Sequence, residues 1–302
     1  MYDLLIVGAG PAGLTAAIYA RRAEKSVLIV EKANFGGQMT FSPKIENYPG
    51  FTTISGSALA DGMVEQALAQ GASLELAEVT RVLPRGDRFT VETDSGVYEA
   101  KTVILATGAA HRTLGLPREE ELVGAGVSYC AVCDGAFYKG QKVAMVGGGN
   151  SALQEAILLA DLCEKVTVVQ NLDFLTGEKK LADAVSSLPN VEILLGRVVT
   201  GLLGEDSLSG IEITETATGK KETLPVDGLF VAIGLKPKNR AFADVAELDE
   251  AGYISSDERC LTSTPGLFTA GDCRTKSIRQ ISTAIADGAT AALSACRYID
   301  SL

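Results

Sequence analysis

The chain sets a glycine turn, Gly8-Ala9-Gly10-Pro11-Ala12-Gly13, between an apolar strand at residues 3–7 and an alanine-rich stretch, Leu14 to Ala20, that reads as a helix. This order of strand, turn and helix is restrictive. The first glycine permits a tight turn, the second lets backbone approach a pyrophosphate, and the third lets helix and strand pack closely. The helix N-terminus then faces the phosphate charge. A second strand, Ser26 to Val30, ends at Glu31, about twenty residues beyond the turn, where a carboxylate accepts a hydrogen bond from a ribose 2′-hydroxyl. A related unit follows later, with a strand at Lys142 to Val146, a turn at Gly147-Gly148-Gly149-Asn150-Ser151-Ala152 and a helix from Leu153 to Leu162. Two such units predict an α/β fold with two dinucleotide-binding, Rossmann-like domains.

A length of 302 residues accommodates two domains, each with its own core. The chain starts directly on a strand with no basic and apolar leader, and the expected location is cytoplasmic. No apolar run reaches the roughly 18 to 20 residues that cross a bilayer, so no membrane span is expected. A net charge of -11 opposes nonspecific attraction to nucleic acid and anionic membranes. Of six cysteines, Cys163, Cys260, Cys273 and Cys296 stand alone in regular segments and read as packing residues.

The other two cysteines form Cys130-Ala131-Val132-Cys133-Asp134, between the two glycine turns. Cysteines two residues apart can close a small disulfide, and a turn at a helix start lowers the attacking thiol's pKa through backbone N–H groups. A zinc site would need two further ligands, and the chain offers one histidine, His111, and no second such pair. No metal site is expected. Asp134 is placed to act as general acid toward a departing thiolate, provided burial raises its pKa; helix capping is its plain alternative.

Further along the chain, Gly266-Leu267-Phe268-Thr269-Ala270-Gly271-Asp272 reads as a buried strand with a glycine and an acid at its tip, where the acid can bind a ribityl chain. Thr107-Gly108 ends the strand Thr102 to Ala106. With Gly8, Gly10, Pro11, Ala12, Gly13, Glu31, Gly36-Gly37-Gln38 and Ala106-Thr107-Gly108, these residues resemble the FAD-binding set of flavoproteins with two dinucleotide-binding domains. Cys130 to Asp134 and Arg279-Gln280 narrow the resemblance to the low-molecular-weight thioredoxin reductase family, over residues 1 to about 300. The resemblance implies FAD as cofactor, held by those residues together with Asn47 and Ile281, and a homodimer that reduces a thioredoxin-like protein. It assigns Cys133 to the flavin side and Cys130 to attack on the partner's disulfide. It also implies a discontinuous FAD domain, residues 1–112 and 240–302, with the disulfide and pyridine-nucleotide-type domain, 113–239, inserted between them. Proline in both Thr113-Leu114-Gly115-Leu116-Pro117 and Lys236-Pro237-Lys238-Asn239, with glycine in the first, suits a two-strand hinge that would let the inserted domain rotate.

The second unit departs from the family pattern. Its second strand, Lys165 to Val169, runs into Gln170-Asn171-Leu172-Asp173-Phe174-Leu175-Thr176-Gly177. NADPH-using members carry a His-Arg-Arg stretch and a further arginine there, because a dianionic 2′-phosphate needs guanidinium partners. None of those arginines is present, and no acid ends the strand for an NADH ribose unless Gln170 substitutes or Asp173 reaches back. This resembles the pyridine-nucleotide-independent branch that takes electrons from reduced ferredoxin or flavodoxin. Such donors are acidic, and Arg274, Lys276 and Arg279 are candidate docking cations, with a solvated surface loop as the plain alternative. NADH or NADPH dependence, a flavin dithiol oxidase and a non-enzymatic flavin-bound redox sensor are the alternatives. Residues Val191 to Val231 read as a β-meander completing the second domain.

Overall fold

The computed structural model describes residues 1–42 and 45–302. The elements in chain order begin with β1 (Tyr2–Val7), α1 (Pro11–Arg22), β2 (Val27–Glu31), α2 (Gly56–Ala69), β3 (Ser73–Leu76), β4 (Val79–Arg85), β5 (Arg88–Thr93), β6 (Val97–Leu105) and β7 (Ala109–His111). There follow β8 (Val127–Ser128), α3 (Ala131–Asp134), β9 (Lys142–Val146), α4 (Asn150–Leu162), β10 (Lys165–Val169), α5 (Lys179–Ser186), β11 (Val191–Leu194), β12 (Arg197–Leu203) and β13 (Gly210–Glu215). The chain ends with β14 (Lys221–Leu224), β15 (Gly228–Val231), β16 (Leu235–Pro237), β17 (Leu267–Thr269) and α6 (Ile281–Asp300). These elements make two compact units, residues 1–110 with 236–302, and residues 111–235.

The first unit is built on a sheet of order β3-β2-β1-β6-β5-β4, with β17 also paired to β6. β6 runs parallel to β1 and β17 through its C-terminal half and antiparallel to β5 through its N-terminal half. β1 is buried on both faces, as a central parallel strand should be. Leu4 and Ile6 pack with residues of α1, α2 and α6, while Leu5 and Val7 pack with Val82, Phe89 and Val91 on the other face. The helices approach closely because small residues face one another: a Cβ at Gly288 of α6 would collide with the Ala12 carbonyl, and one at Gly13 with the Gly8 carbonyl.

The register of β1 is pinned by Asp3. Its carboxylate accepts the Ser26 N–H at 2.9 Å and the Ser26 hydroxyl at 2.7 Å, while Lys101 of β6 pairs with it at 2.8 Å. Burial opposes ionisation of Asp3, but the hydrogen bonds from Lys101 and Ser26 outweigh it and lower the pKa to about 2.

The second unit carries a parallel sheet of order β11-β10-β9-β15-β8, with cores on both faces, and a separate antiparallel sheet β12-β13-β14. The meander expected from Val191 to Val231 is therefore confined to residues 197–224. β11 and β15 are instead strands of the parallel sheet, paired to β10 and β9. β15 is a short apolar run buried in the sheet interior and β11 a half-buried edge strand, and alternation alone separates neither from meander strands. Cys163, Cys260, Cys273 and Cys296 are all buried thiols, as packing residues should be. Among the described residues, no helix is long and apolar enough to cross a membrane.

Because the folded pKa of Asp3 lies below its ordinary value of 3.8, the carboxylate stabilises the fold above that value and loses its contribution as pH falls through about 2. Asp3→Asn should lower stability by about 1 kcal/mol at neutral pH, a partly screened value. Urea unfolding at a series of pH values should show the gap to the unmodified protein closing in acid; a gap constant with pH would contradict this account.

Candidate active site

In the first unit the chain brings the flavin-binding candidates together around the end of β1. Gly8 has φ of 107° and donates to the Val30 carbonyl at 2.8 Å. The carboxylate of Glu31, at the end of β2, accepts the Ala9 N–H at 2.8 Å and the Ala33 N–H at 2.9 Å. It thus rigidifies the turn. Pro11 opens α1 and Ala12 is buried behind it. A Cβ on Gly10 would meet nothing within 4 Å, so the backbone there borders open space of the kind a pyrophosphate occupies. Gly36 and Gly37 both have positive φ, Gly36 donates to the Ala9 carbonyl at 2.8 Å, and Gln38 follows on the exposed side.

More distant segments converge on the same unit. The Asn47 amide donates to the Gln280 side chain at 3.2 Å, across 233 positions of sequence. Gln280 precedes α6, which starts at Ile281. The Thr107 hydroxyl donates to the Asn239 side chain at 2.7 Å, beside Gly108, whose φ is 65°. Asn239 is 1% exposed and in turn donates to the Gly252 and Cys273 carbonyls at 2.9 and 2.8 Å. Nothing in its local sequence marks it as more than part of a crossing that contains Pro237.

Gly271 has φ of 83° and presents Asp272. Burial pushes the Asp272 pKa up, with Lys276 and Arg279 pulling the other way. Its Oδ1 is buried without a hydrogen-bond partner. A buried, unsatisfied carboxyl oxygen in the unit whose Gly10 borders open space fits a hydroxylated ligand such as the ribityl chain of FAD. The residues present therefore fit the group.

Arg274, Lys276 and Arg279 are not the docking patch that their sequence suggests. Arg274 and Lys276 are both engaged by Asp287 of α6, at 3.0 and 2.8 Å, with side chains only 9% exposed. Arg279 lies over the Tyr253 ring at 4.1 Å and donates to the Asp272 and Arg274 carbonyls. Three cations within six positions suggested a surface loop, but Asp287, across the fold on α6, neutralises two of them.

In the second unit, Cys130 and Cys133 are joined as a disulfide with Cα atoms 5.3 Å apart, across α3. Cys130 is the N-cap of that helix, its Sγ accepting the Cys133 N–H at 3.2 Å. Ser128, at the end of β8, links the motif to its acid: its oxygen accepts the Cys130 N–H at 3.1 Å, and its hydroxyl donates to Asp134 Oδ2 at 2.6 Å. Asp134 Oδ1 is buried with no partner. Burial raises the Asp134 pKa, and the Ser128 hydrogen bond offsets only part of that. Burial thus shifts Asp134 in the direction an acid requires, and the side chain that caps α3 is that of Cys130.

A second acid went unseen in the sequence. Glu155 of α4 accepts the Ala131 N–H at 3.1 Å, and burial raises its pKa against that bond. It lies in an ordinary helical stretch, and only the packing of α4 beneath α3 brings it to the dithiol. His111, the single histidine, stacks on Tyr129 with ring centres 5.2 Å apart, and burial lowers its pKa. The crossing at Leu114 to Leu116 is tied down by Glu119, whose carboxylate accepts all three backbone N–H groups.

The second glycine turn differs from the first in what lies over it. Gly148 accepts the Thr176 and Gly177 N–H groups at 2.9 and 2.8 Å. Where Gly10 borders open space, a Cβ on Gly149 would lie 3.7 Å from the Thr176 hydroxyl, and one on Gly148 would strike the Gln170 amide at 2.6 Å. Gln170 occupies the strand-end position that Glu31 holds in the first unit. It is 5% exposed and donates its amide to the Phe174 carbonyl at 3.2 Å, folding toward its own loop. Asn150 and Glu178 close the segment through reciprocal bonds at 2.7 and 3.1 Å. Asp173 is exposed.

Comparison with known proteins agrees with both units. The model of the family described as "Pyridine nucleotide-disulphide oxidoreductase" matches residues 2–288. A thioredoxin reductase of Listeria innocua serovar 6a is 42% identical over 303 residues, covering 100% of this chain and 95% of that protein. A protein of Clostridium pasteurianum described as "34.2 kDa protein in rubredoxin operon" is 42% identical, covering 98% of this chain and 97% of the relative. The crystal structure of thioredoxin reductase from Streptococcus pyogenes MGAS5005 superposes with a TM-score of 0.96 at 43% identity, covering 100% of this chain and 99% of that one. The chain belongs to the pyridine nucleotide-disulphide oxidoreductase family, among the low-molecular-weight thioredoxin reductases, and is an FAD-dependent oxidoreductase that acts on a disulfide.

Proposed function

We propose that this chain is a thioredoxin-disulfide reductase whose electrons come from a reduced ferredoxin-type carrier and not from NADH or NADPH. The observation that carries the donor assignment is the strand end beside the second glycine turn, where buried Gln170 stands in place of a charged residue while Thr176 and Gly177 bond to the Gly148 carbonyl. A 2′-phosphate would find no guanidinium there, and each missing charge-assisted contact removes about 1.5 to 3 kcal/mol. The Clostridium pasteurianum relative is described by its place in a rubredoxin operon, an association with an iron electron carrier that suits the same reading. The retained glycines favour one rival, an NADH- or NADPH-dependent reductase, in which residues 174–178 would have to leave the turn.

In this reading FAD is held by Gly8, Gly10, Pro11, Ala12, Gly13, Glu31, Gly37, Gln38, Asn47, Thr107, Gly108, Gly271, Asp272, Arg279, Gln280 and Ile281, with Asn239 fixing Thr107. When bound, FAD supplies the junction between one-electron input and two-electron output. Asp272 takes the ribityl hydroxyls through its unpartnered oxygen.

The chemistry of the protein's own groups begins from the reduced pair. The Cys130 thiolate attacks one sulfur of the thioredoxin disulfide, and the other sulfur departs as a thiolate that takes a proton from Asp134. Asp134 is suited to this because Oδ2 is occupied as an acceptor from Ser128, which leaves the proton on unpartnered Oδ1. The Cys133 thiolate then attacks Cys130 Sγ, re-forming the intramolecular disulfide and releasing the second thioredoxin sulfur, which takes its proton from water. Thioredoxin gains two electrons, matched by two oxidised ferredoxins, and two protons, drawn from solvent once Asp134 is reprotonated by water. Glu155 holds the Ala131 N–H, keeping the first turn of α3 in place while the sulfurs change partners.

Three outcomes are expected. Catalytic amounts of the protein with photoreduced ferredoxin should reduce many equivalents of thioredoxin disulfide; single turnover or none would overturn the donor assignment. Cys133→Ser should trap a mixed disulfide between Cys130 and thioredoxin, detectable by mass, whereas Cys130→Ser should trap none; the reverse pattern would exchange their roles. Asp134→Asn should slow disulfide reduction by about 10² to 10⁴-fold. Because the Asp134 pKa is raised, the acid is present below that pKa and lost as pH rises through it, so the unmodified protein should lose rate on the alkaline side and Asp134→Asn should lack that limb.

A further inference from the structure

Asp287 lies in the middle of α6, is 9% exposed, and was singled out by no motif. Its Oδ2 accepts the Gly271 N–H at 3.1 Å, Arg274 Nε at 3.0 Å and Lys276 Nζ at 2.8 Å, and its Oδ1 accepts Arg274 Nη2 at 3.1 Å. Arg274 Nη1 continues to the Ser256 hydroxyl at 3.2 Å and the Thr275 carbonyl at 3.1 Å. One carboxylate therefore grips the loop on both sides of Asp272, through backbone before it and through two cations after it. Burial alone would raise the Asp287 pKa, but the hydrogen bonds from Arg274 and Lys276 outweigh it and hold the group ionised.

Asp272 differs in kind from Asp287. One of its carboxyl oxygens is buried with nothing to bond. A buried carboxyl without a partner is unfavourable, and its loop would relax toward solvent unless something else held it. The four hydrogen bonds to Asp287 provide that restraint.

We propose that Asp287 is the positioning residue for the cofactor-binding acid Asp272: by clamping Gly271, Arg274 and Lys276 it keeps the unpartnered carboxyl aimed at the ribityl chain before FAD arrives. This rests on the reading of Asp272 as an FAD ligand. The competing role is a plain ion pair that stabilises α6, and the two differ in their coupling to Asp272. Removing a positioning residue and the residue it positions has no additive effect, whereas an independent stabilising pair contributes separately.

The test is a double-mutant cycle on the full chain, with FAD affinity measured by fluorescence titration of the apoprotein and folding checked by circular dichroism. Asp272→Ala and Asp287→Asn should each weaken FAD binding by tenfold or more, and the double variant should bind no worse than Asp272→Ala alone. Asp287→Glu, which keeps the charge but displaces the carboxylate by one methylene, should fold and still bind FAD more weakly; this second variant decides the matter if Asp287→Asn does not fold. Wild-type affinity in Asp287→Asn or Asp287→Glu, or additive losses in the double variant, would overturn the proposal while leaving Asp272 as a ligand. Wild-type affinity in Asp272→Ala would overturn the reading of Asp272, and the proposal with it.

Discussion

How near another molecule can come to the backbone at a strand-to-helix turn governs what each half of this protein does. At Gly10 the missing side chain leaves open space, Glu31 braces the turn through the Ala9 N–H, and a buried carboxyl oxygen on Asp272 in the same unit lacks a partner. At Gly149 the same kind of turn has Thr176 within ordinary van der Waals range, Gly148 accepts two backbone hydrogen bonds from residues 176 and 177, and Gln170 packs against Gly148. Residues 176–178 are held to this turn by bonds to the Gly148 carbonyl and to Asn150. A nucleotide would have to replace those bonds and find cations that this strand end does not supply.

The dithiol depends on a different constraint, the placing of acids under a short helix. In the proposed mechanism the departing thiolate takes a proton near neutral pH, which an ordinary aspartate lacks. Burial keeps Asp134 protonated to higher pH, and Ser128 ties that carboxyl to the Cys130 backbone. Glu155 approaches from α4 and takes the Ala131 N–H. Chemistry and helix geometry are thus coupled through three side chains from three elements.

Much of this was legible in the chain because glycine turns and paired cysteines carry their mechanism locally. Gly8 to Gly13 needs only its neighbours to define strand, turn and helix, and Cys130 with Cys133 needs only spacing to define a disulfide. What sequence could not supply were partners fixed by tertiary packing. Arg274 and Lys276 look like free surface cations until Asp287, more than ten positions on, is folded against them. Glu155 and Asn239 sit in stretches whose local composition signals only a helix and a crossing. The strands at 191–194 and 228–231 read as a meander from sequence because short strands do not reveal whether they pair in parallel or antiparallel.

The most direct test of the central claim, that the second glycine turn delivers no electrons from a pyridine nucleotide, is an anaerobic titration of the FAD-loaded protein with NADPH and with NADH, following flavin absorbance. No bleaching by either nucleotide, in protein whose flavin dithionite reduces fully, is the result expected. Stoichiometric bleaching by either one would contradict the account, because residues 174–178 would then have to open to admit the nucleotide.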